Sequence, residues 1–342
     1  MKGYCAASRM PETFSYIDPA YKGFPNLDIP VVDPVKPIKI GIVGLGKIAQ
    51  DQHIPTLQKS SAFDLVGIAS QENHLDGVPS FPDLASLSQG VPGLTAVAVC
   101  TPPQVRYAIA RDALQRGFDV LLEKPPGISV TEVQALAEVA RCHQRTLFAA
   151  WHSRYAPAVA SARSFLLTHP IRRVAVSWKE DVRAWHPGQQ WIWRAGGMGV
   201  FDPGINALSI LTHIVPGALA LTDAELQFPS NCATPIAARL LIKDLQGALM
   251  EVELDFRQQG PQMWDIMVEA SEASLLLSMG GKHLSIAGVP SDTPGTPEYQ
   301  AMYAHFAHLV RARECDVDVA PLQLVADAFL CGQRIAVSPF VE

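Results

Sequence analysis

Short apolar runs alternate with segments of helical periodicity in the first half of the chain. The apolar runs lie at residues 38–43, 63–70, 94–100, 119–123 and 146–151. A run of four to eight apolar residues between turn signals is typical of a strand that is buried on both faces. Strands that alternate with helices form a parallel sheet, because each crossover returns the chain to the same edge. The pattern predicts an α/β fold with a doubly wound parallel sheet.

The pattern changes after about residue 219. Apolar runs are joined there by short turns, which predicts a C-terminal α+β domain with a largely antiparallel open sheet. The predicted strands lie at residues 236–242, 248–256, 265–270 and 274–278, and two late helices without a signal for chemistry lie at 298–313 and 320–335. One face of this sheet should pack on helices, and the other is predicted to be largely apolar as well. A second copy of the chain should cover that face, which predicts a homo-oligomer.

The length of 342 residues exceeds what one hydrophobic core usually organises. The changes in pattern predict an extended, proline-rich arm at 1–37, a dinucleotide-binding domain at 38–155, and a substrate-binding and oligomerisation domain at 156–342. The arm either has no role or is fixed by its aromatic residues to the body of the protein or to a neighbouring subunit.

A glycine-rich turn follows the first predicted strand. The residues Gly44-Leu45-Gly46-Lys47-Ile48-Ala49 form a G-x-G-x-x-A motif between a strand and a helix. Such a turn brings the backbone close to a pyrophosphate, and the free N–H groups at the start of the helix attract its charge. Glycines also serve ordinary tight turns, but this position favours a Rossmann-type dinucleotide site. The predicted cofactor contacts in the turn are Gly44, Gly46, Lys47 and Ile48.

Polar groups at the ends of the other predicted strands complete this site. Ser70 and Gln71 stand where NAD-specific folds usually carry a carboxylate, although Glu72 is close enough to reach the ribose. A hydroxyl and an amide can donate to a 2′-phosphate, so NADP and NAD are both accommodated, with a slight preference for NADP. Further predicted cofactor contacts are Thr101, Pro102, Pro103, Glu123 and Lys124.

Three motifs carry a family resemblance. Gly44-x-Gly46, Thr101-Pro102-Pro103 and Glu123-Lys124-Pro125 together resemble the glucose-fructose oxidoreductase and inositol dehydrogenase family. In that family the Lys-Pro bond is commonly cis, and the lysine lies beside the nicotinamide and the reacting carbon. The resemblance therefore implies the same place for Lys124.

Four further segments look like one branch of this family, the bacterial aldose 1-dehydrogenases, which oxidise sugars such as D-galactose or L-arabinose. They are Trp151-His152-Ser153-Arg154, Trp178-Lys179-Glu180-Asp181, Trp185-His186-Pro187-Gly188 and Phe201-Asp202-Pro203-Gly204-Ile205-Asn206. The similarity covers the chain from about Ile38 onward and implies oxidation at C1 to an aldonolactone. Arg194-Ala195 stands where this branch carries Glu-Pro, a departure that bears on the preferred sugar rather than on the reaction.

Asp202, Lys124 and Asn206 are the predicted catalytic residues. Oxidation of a hemiacetal at C1 requires a base for the hydroxyl proton while a hydride leaves the same carbon. Asp202 is the predicted base, and Asn206, one helical turn later, should address the same sugar. Many relatives carry His where this chain has Asn206, so Asp202, with Lys124, is left as the proton acceptor. The alternative for Asp202 is a helix N-cap before Pro203.

The predicted sugar pocket draws on the segment between residues 151 and 206. Five of the six tryptophans lie between Trp151 and Trp193, and indole faces with polar partners suit the C–H faces and hydroxyls of a sugar. Core packing is the alternative for several of these tryptophans. The predicted substrate contacts are His152, Glu180, Trp185, His186, Asp202 and Asn206. The histidines and carboxylates lack the spacing of a metal site.

Charge and hydropathy narrow the partners to small molecules. A net charge of −6 without a sustained Lys/Arg run argues against binding to nucleic acid or anionic lipid. No apolar run has membrane-spanning length and no signal peptide is evident, so the chain is expected to be cytoplasmic. The sequence predicts an enzyme, an NAD(P)-dependent aldose 1-dehydrogenase. A cyclitol or other secondary-alcohol dehydrogenase and a non-catalytic NAD(P)-binding sensor are the alternatives.

Overall fold

The computed structural model describes residues 36–291, 293 and 295–341, so nearly all of the predicted arm at 1–37 lies outside the described residues. Within the described part, six strands form a first sheet. They are β1 (Ile38–Val43), β2 (Phe63–Ala69), β3 (Ser80–Phe81), β4 (Ala96–Val99), β5 (Asp119–Glu123) and β6 (Leu147–Ala150). All pairs are parallel and the order is β3-β2-β1-β4-β5-β6, which confirms the predicted doubly wound sheet.

The helices connect the strands of both sheets and link one sheet to the other. The α-helices are α1 (Ile54–Gln58), α2 (Leu84–Gly90), α3 (Pro103–Gln115), α4 (Val130–His143), α5 (Val159–Leu166), α6 (Val182–Trp185), α7 (Phe201–Ile214), α8 (Glu298–Ala312) and α9 (Ala320–Cys331). The helix expected after the glycine turn begins as a π-helical turn, Ala49–His53, and continues as α1. Ser129 caps α4 by accepting a hydrogen bond from the Glu132 N–H at 3.2 Å.

Nine strands of the described residues form the second sheet. They are β7 (Ile171–Lys179), β8 (Leu219–Pro229), β9 (Ala237–Asp244), β10 (Leu249–Asp255), β11 (Met263–Ala270), β12 (Ser274–Ser278), β13 (His283–Ile286), β14 (Val289–Ser291) and β15 (Gln333–Val337). Their order is β14-β13-β12-β11-β7-β10-β9-β8-β15. Only the pairs β7–β10 and β8–β15 are parallel, so the prediction of a largely antiparallel sheet is confirmed.

The last helix is shorter than predicted. It was expected to run to about residue 335, but α9 ends at Cys331 and residues 333–337 form β15 on the edge of the second sheet. Gly332 lies at the junction, where a Cβ would come within 2.5 Å of the Ala328 carbonyl oxygen. The chain can therefore leave the helix there without a steric clash.

The two sheets pack differently. Both faces of the first sheet are covered, with α8 on one face and α2, α3 and α4 on the other. The late helix α8 thus packs on the first sheet, through aromatic residues that include Tyr299, Tyr303 and Phe306. The second sheet packs one face on α5, α7 and α9. No helix in the described residues is long and apolar enough to cross a membrane.

The other face of the second sheet, which we call the open face, is more polar than predicted. Its strands present the residues between the core positions, and two ion pairs cross them, Arg173 with Glu251 and Lys179 with Glu253. The expectation of a largely apolar face is therefore wrong for this part of the sheet. An apolar row does remain, in which Met267 on β11 pairs with Ala175 on β7 and with Leu276 on β12.

Candidate active site

The glycine turn after β1 borders a cleft at the carboxyl ends of the first sheet. Gly44 has a φ of +95°, and a Cβ there would lie 2.9 Å from the backbone nitrogen of Thr101. Only glycine fits both constraints without strain. The cleft has a volume of about 530 Å³, and its lining includes six predicted cofactor contacts, Gly44, Gly46, Ser70, Gln71, Thr101 and Pro102.

The residues around this cleft fit a dinucleotide. The open side of Gly46 has no atom within 4 Å of a notional Cβ, so a ligand can approach the backbone there. The hydroxyl of Thr101 is buried and has no hydrogen-bond partner in the described residues, which leaves it available to a ligand. Glu72 and Asn73 also line the cleft, and no arginine among the described residues does.

Other predicted cofactor contacts lie outside this lining. Lys47 is exposed and forms an ion pair with Asp51 at 2.5 Å. Ile48 packs against the core beneath the first sheet. Pro103 begins α3 and lines a second cavity, of about 460 Å³, together with Pro125 and Ala195. The segment containing the unusual Arg194-Ala195 therefore contacts this second cavity.

Glu123 ends β5 with its side chain turned inward rather than toward the cleft. Tyr299 of α8 donates its hydroxyl to one carboxylate oxygen at 2.7 Å, and His53 lies 3.3 Å from the same oxygen. The other oxygen accepts the Lys124 backbone N–H at 2.5 Å. His53 also contacts the Tyr303 hydroxyl at 2.7 Å. Glu123 therefore connects the backbone of Lys124 to α8, through Tyr299, and to the π-helical turn after β1, through His53.

The ionisation of this cluster follows from its partners. Burial alone would raise the pKa of Glu123, but the hydrogen bond with His53 and nearby positive charges hold it well below its usual range. Burial would lower the pKa of His53, but Cys100, Tyr303 and Glu123 more than offset this, and the pKa is raised well above 6.5. Burial raises the pKa of Tyr303 to about 12. The pair His53–Glu123 is accordingly an ion pair in the interior.

Arg106 of α3 joins the ends of two neighbouring strands. Its guanidinium donates to the carbonyl oxygens of Thr101, Glu123 and Pro125, and its side chain is buried. Burial lowers the pKa of this arginine. The ends of β4 and β5, and the residues that follow them, are thus held by one cation.

Lys124, which follows β5 of the first sheet, contacts Asp202 at the start of α7, a helix that packs on the second sheet. The Lys124-Pro125 peptide is cis, as the resemblance implied. The ammonium of Lys124 donates to the backbone oxygen of Asp202 at 2.9 Å and to its Oδ1 at 3.4 Å. Both side chains are largely buried, with 14% and 6% of their surface exposed. The predicted lysine and the predicted base are therefore in contact, although 78 residues separate them in the chain.

Asp202 lies inside the first turn of α7 and does not cap it. The N-cap position is Val200, and no side chain makes a capping hydrogen bond there. The N-cap interpretation of Asp202 is therefore wrong, and its carboxylate is available for another role. Asn206 lies one turn further along the same helix and is half-buried.

His186 and Glu180 lie beside Asp202. The Nδ1 atom of His186 is 3.8 Å from Oδ2 of Asp202, and its Nε2 is 3.0 Å from Oε1 of Glu180. The indole N–H of Trp264 donates to the other oxygen of Glu180 at 2.8 Å. Trp185 is exposed over 43% of its surface and contacts Trp264, with ring centroids 4.9 Å apart. Two carboxylates, an imidazole and two indoles thus form one group.

His152 lies apart from the group formed by His186, Glu180 and Asp202, and it contacts α8 instead. Its ring stacks on Tyr299 at a centroid distance of 5.1 Å, and its Nδ1 forms an ion pair with Glu298. Both partners belong to α8, and His152 lowers the pKa of Glu123 through its charge, after the effects of burial and of His53. His152 therefore lies on the Glu123 side of the site. Within the described residues, no group of three or more His, Cys, Asp or Glu side chains has the arrangement of a metal site.

Several of these polar residues were not predicted from the sequence. His53, Arg106, Trp264, Tyr299 and Tyr303 all hold a predicted site residue or its neighbour. The spacing of Tyr299 and Tyr303 at i and i+4 was a visible sign of one helix face. Except for the contact of Arg106 with Thr101, nothing local indicates their partners, and the contacts of the other four residues span between 70 and 250 residues of the chain.

The chain is similar to a known protein family and to known enzymes. A family model described as an oxidoreductase family with an NAD-binding Rossmann fold matches residues 38–150. Galactose 1-dehydrogenase from Pseudomonas fluorescens is 44% identical over 315 residues, which cover 90% of this chain and 100% of that protein.

Two solved structures extend the comparison. D-galactose-1-dehydrogenase from Rhizobium etli has a TM-score of 0.86 and 48% identity, covering 90% of this chain and 98% of its own. A 3-ketoreductase from Actinomadura kijaniata, in complex with NADP and TDP-benzene, shares the fold at a TM-score of 0.76 and 18% identity, covering 88% and 99%. The chain therefore belongs to the glucose-fructose oxidoreductase and inositol dehydrogenase family, and it is an oxidoreductase with an NAD(P)-binding Rossmann domain.

Proposed function

We propose that this enzyme is an NAD(P)-dependent aldose 1-dehydrogenase that oxidises D-galactose, or a related aldose such as L-arabinose, to the aldonolactone. The observation that carries the proposal is the contact of Lys124 with Asp202 at the cofactor edge of the first sheet. Two proteins at least 44% identical to this chain are galactose 1-dehydrogenases, which supports the choice of substrate.

The proposed chemistry divides the work among three side chains. Asp202 accepts the proton of the anomeric hydroxyl, and Lys124 donates a hydrogen bond that stabilises negative charge on the substrate oxygen. Asn206 hydrogen-bonds the sugar from the next turn of α7. A bound oxidised nicotinamide supplies the hydride acceptor. The ammonium of Lys124 lies 3.4 Å from Oδ1 of Asp202, so a positive charge stands beside the proposed base and the substrate oxygen it would act on.

The proposed cofactor site uses the cleft beside Gly44. Gly46 would allow the pyrophosphate to approach, Thr101 would give its unpaired hydroxyl to the ligand, and Ser70 with Gln71 would face the adenosine ribose. Ser70 and Gln71 can donate to a 2′-phosphate, while Glu72 can accept from a 2′-hydroxyl. We therefore propose use of both cofactors with a slight preference for NADP.

The proposed sugar contacts are His186, Glu180, Trp185 and His152. Indole and imidazole rings with carboxylates suit a ligand that presents apolar faces and many hydroxyls. We further propose a cytoplasmic enzyme that forms a homo-oligomer through the open face of the second sheet. The apolar row of Met267, Ala175 and Leu276 and the flanking charges support a self-complementary contact.

An absorbance assay of nicotinamide reduction tests the function. Galactose, arabinose, fucose, glucose and myo-inositol are each combined with NAD and with NADP, and the product is identified as a lactone by its hydrolysis to the aldonate. Reduction with galactose or arabinose and none with myo-inositol is the expected result. Reduction with myo-inositol alone would support a cyclitol dehydrogenase. No reduction with any pair would contradict the proposal and favour a non-catalytic sensor.

A further inference from the structure

A proton that Asp202 accepts needs a way out of the site. The Asp202 side chain is 6% exposed, and its Oδ1 faces the ammonium of Lys124 at 3.4 Å. Lys124 cannot take a second proton while it is an ammonium. The remaining oxygen, Oδ2, faces Nδ1 of His186 at 3.8 Å. The imidazole is thus placed to receive a proton from this side of Asp202.

The partners of His186 fix its orientation. Its Nε2 lies 3.0 Å from Oε1 of Glu180, and Glu180 is buried with its second oxygen held by Trp264. An ionised carboxylate only accepts hydrogen bonds, so it favours the imidazole form with the proton on Nε2. In that form Nδ1, which lies 3.8 Å from Oδ2 of Asp202, carries the lone pair that can accept a proton. The main chain that carries the ring is held as well, because the N–H of His186 donates to the Val182 carbonyl at 2.8 Å.

We propose that His186 is a proton-relay residue of the reaction, and that Glu180 positions it. This inference rests on the proposed function. The substrate O–H bond breaks as an O–H bond forms on Asp202, and that proton then leaves Oδ2 and forms an N–H bond on Nδ1 of His186. The imidazolium, stabilised by Glu180, releases one proton to water, and Asp202 returns to the carboxylate form.

The distances and exposure agree with this direction of transfer. The separation of 3.8 Å between Oδ2 and Nδ1 exceeds a hydrogen bond, so the transfer requires a closure of about 1 Å or one bridging water. His186 is 16% exposed, against 6% for Asp202 and 3% for Glu180. The imidazole is therefore the member of the group with the most access to solvent.

Chemical rescue of a His186→Ala variant tests the relay. Wild type, His186→Ala and the matched control His143→Ala, at an exposed histidine at the end of α4, are assayed with galactose and saturating cofactor. We expect kcat of His186→Ala to fall on the order of 10²-fold, a larger change than the rise in KM that loss of the sugar contact causes. Added imidazole should restore at least tenfold of that loss, and His143→Ala should behave as wild type with and without imidazole.

A second variant separates relay from positioning. Glu180→Gln keeps the shape of the side chain but removes the charge that stabilises the imidazolium, so kcat should fall while imidazole has no effect. If His186→Ala does not fold, as judged by thermal melting, His186→Asn is assayed for the same loss of kcat and for an altered solvent deuterium isotope effect.

Other outcomes would overturn the relay. A raised KM with unchanged kcat, or a low kcat that imidazole does not restore, would make His186 a substrate contact only. Full kcat in His186→Asn would have the same meaning. A wild type that reduces neither cofactor with any aldose would overturn the proposed function, and the relay with it, and is recognised before any variant is measured.

Discussion

Two buried carboxylates, Asp202 and Glu123, lie on either side of Lys124 and have different surroundings. Asp202 faces one cation at 3.4 Å and an imidazole at 3.8 Å, and neither contact is a short hydrogen bond. Glu123 accepts from Tyr299 at 2.7 Å and from the Lys124 backbone at 2.5 Å, and pairs with His53. The side-chain contacts of Asp202 are thus longer than those of Glu123, whose two oxygens both accept short hydrogen bonds.

Neutralising Glu123 should therefore lower stability. Glu123→Gln keeps the size of the side chain but leaves the protonated His53 without its counter-charge in the interior, which should cost about 3–5 kcal/mol of unfolding free energy. Chemical denaturation measures the loss. Glu138→Gln, which removes an exposed ion pair with Arg141, is the control and should melt as wild type. An equal free energy of unfolding in Glu123→Gln and Glu138→Gln would contradict the buried ion pair.

His213 should make the stability depend on pH. Burial and the charges of Arg154 and Arg163 lower the pKa of this histidine to about 4, below its ordinary value of 6.5. As the pH falls from about 6.5 to 4, the unfolded chain therefore binds a proton that the folded chain does not, and the free energy of unfolding decreases. Between pH 6.5 and 4, the free energy of unfolding of His213→Gln should fall by on the order of 1 kcal/mol less than that of the wild type, after allowance for screening by solvent. Denaturation curves of both proteins at pH 6.5 and at pH 4 measure the two losses. An equal loss of unfolding free energy in the wild type and in His213→Gln would contradict this prediction.

At the scale of the element, the turn after β1 combines two glycines with different requirements. Gly44→Ala places a Cβ 2.9 Å from the Thr101 nitrogen at a φ of +95°, so it should cost about 1–3 kcal/mol of stability. Gly46→Ala meets no atom within 4 Å and should melt as wild type, yet it should weaken cofactor binding by blocking the backbone. Thermal melting and titration with NADP measure both effects. A stable Gly44→Ala or a Gly46→Ala with normal affinity would contradict these roles.

Most elements could be read from the sequence because their signals are local. The strand that ends at Glu123 was predicted with its observed limits, since an apolar run stops there at a charged pair and two prolines. β7 was missed, although its apolar residues alternate with polar ones at Val174, Val176 and Trp178. The π-helical start at Ala49 has no sequence signal, because periodicity does not distinguish it from an α-helix over five residues.

The site was predictable only in part, for a physical reason. The contact of Lys124 with Asp202 was expected from a family resemblance, whereas the approach of Tyr299 to Glu123 depends on α8 packing back on the first sheet. Such packing is decided by the total burial of apolar surface and leaves no mark near either residue. The role of Trp264, on β11, was hidden in the same way.

At the scale of the whole molecule, the open face of the second sheet is the predicted contact between copies. Met267 is 38% exposed there, in the middle of the apolar row. Met267→Glu should convert an oligomer to monomers, because two like charges would meet near a two-fold axis. Light scattering after size-exclusion chromatography measures the mass. Leu245→Glu, at a 77% exposed turn residue, should leave the mass unchanged. A monomeric wild type, or an oligomeric Met267→Glu, would contradict this surface.

The most direct test of the account concerns the base. Asp202→Asn keeps the size of the side chain but cannot accept the anomeric proton, so kcat with galactose should fall about 10²- to 10⁴-fold while the affinity for the cofactor is unchanged. Asp64→Asn, at an exposed position on β2, is the matched control and should retain full turnover. The measurement is the rate of nicotinamide reduction, with cofactor binding followed separately by calorimetry. A large loss of turnover in Asp202→Asn with intact cofactor binding is predicted, and turnover close to that of the wild type would contradict the central claim.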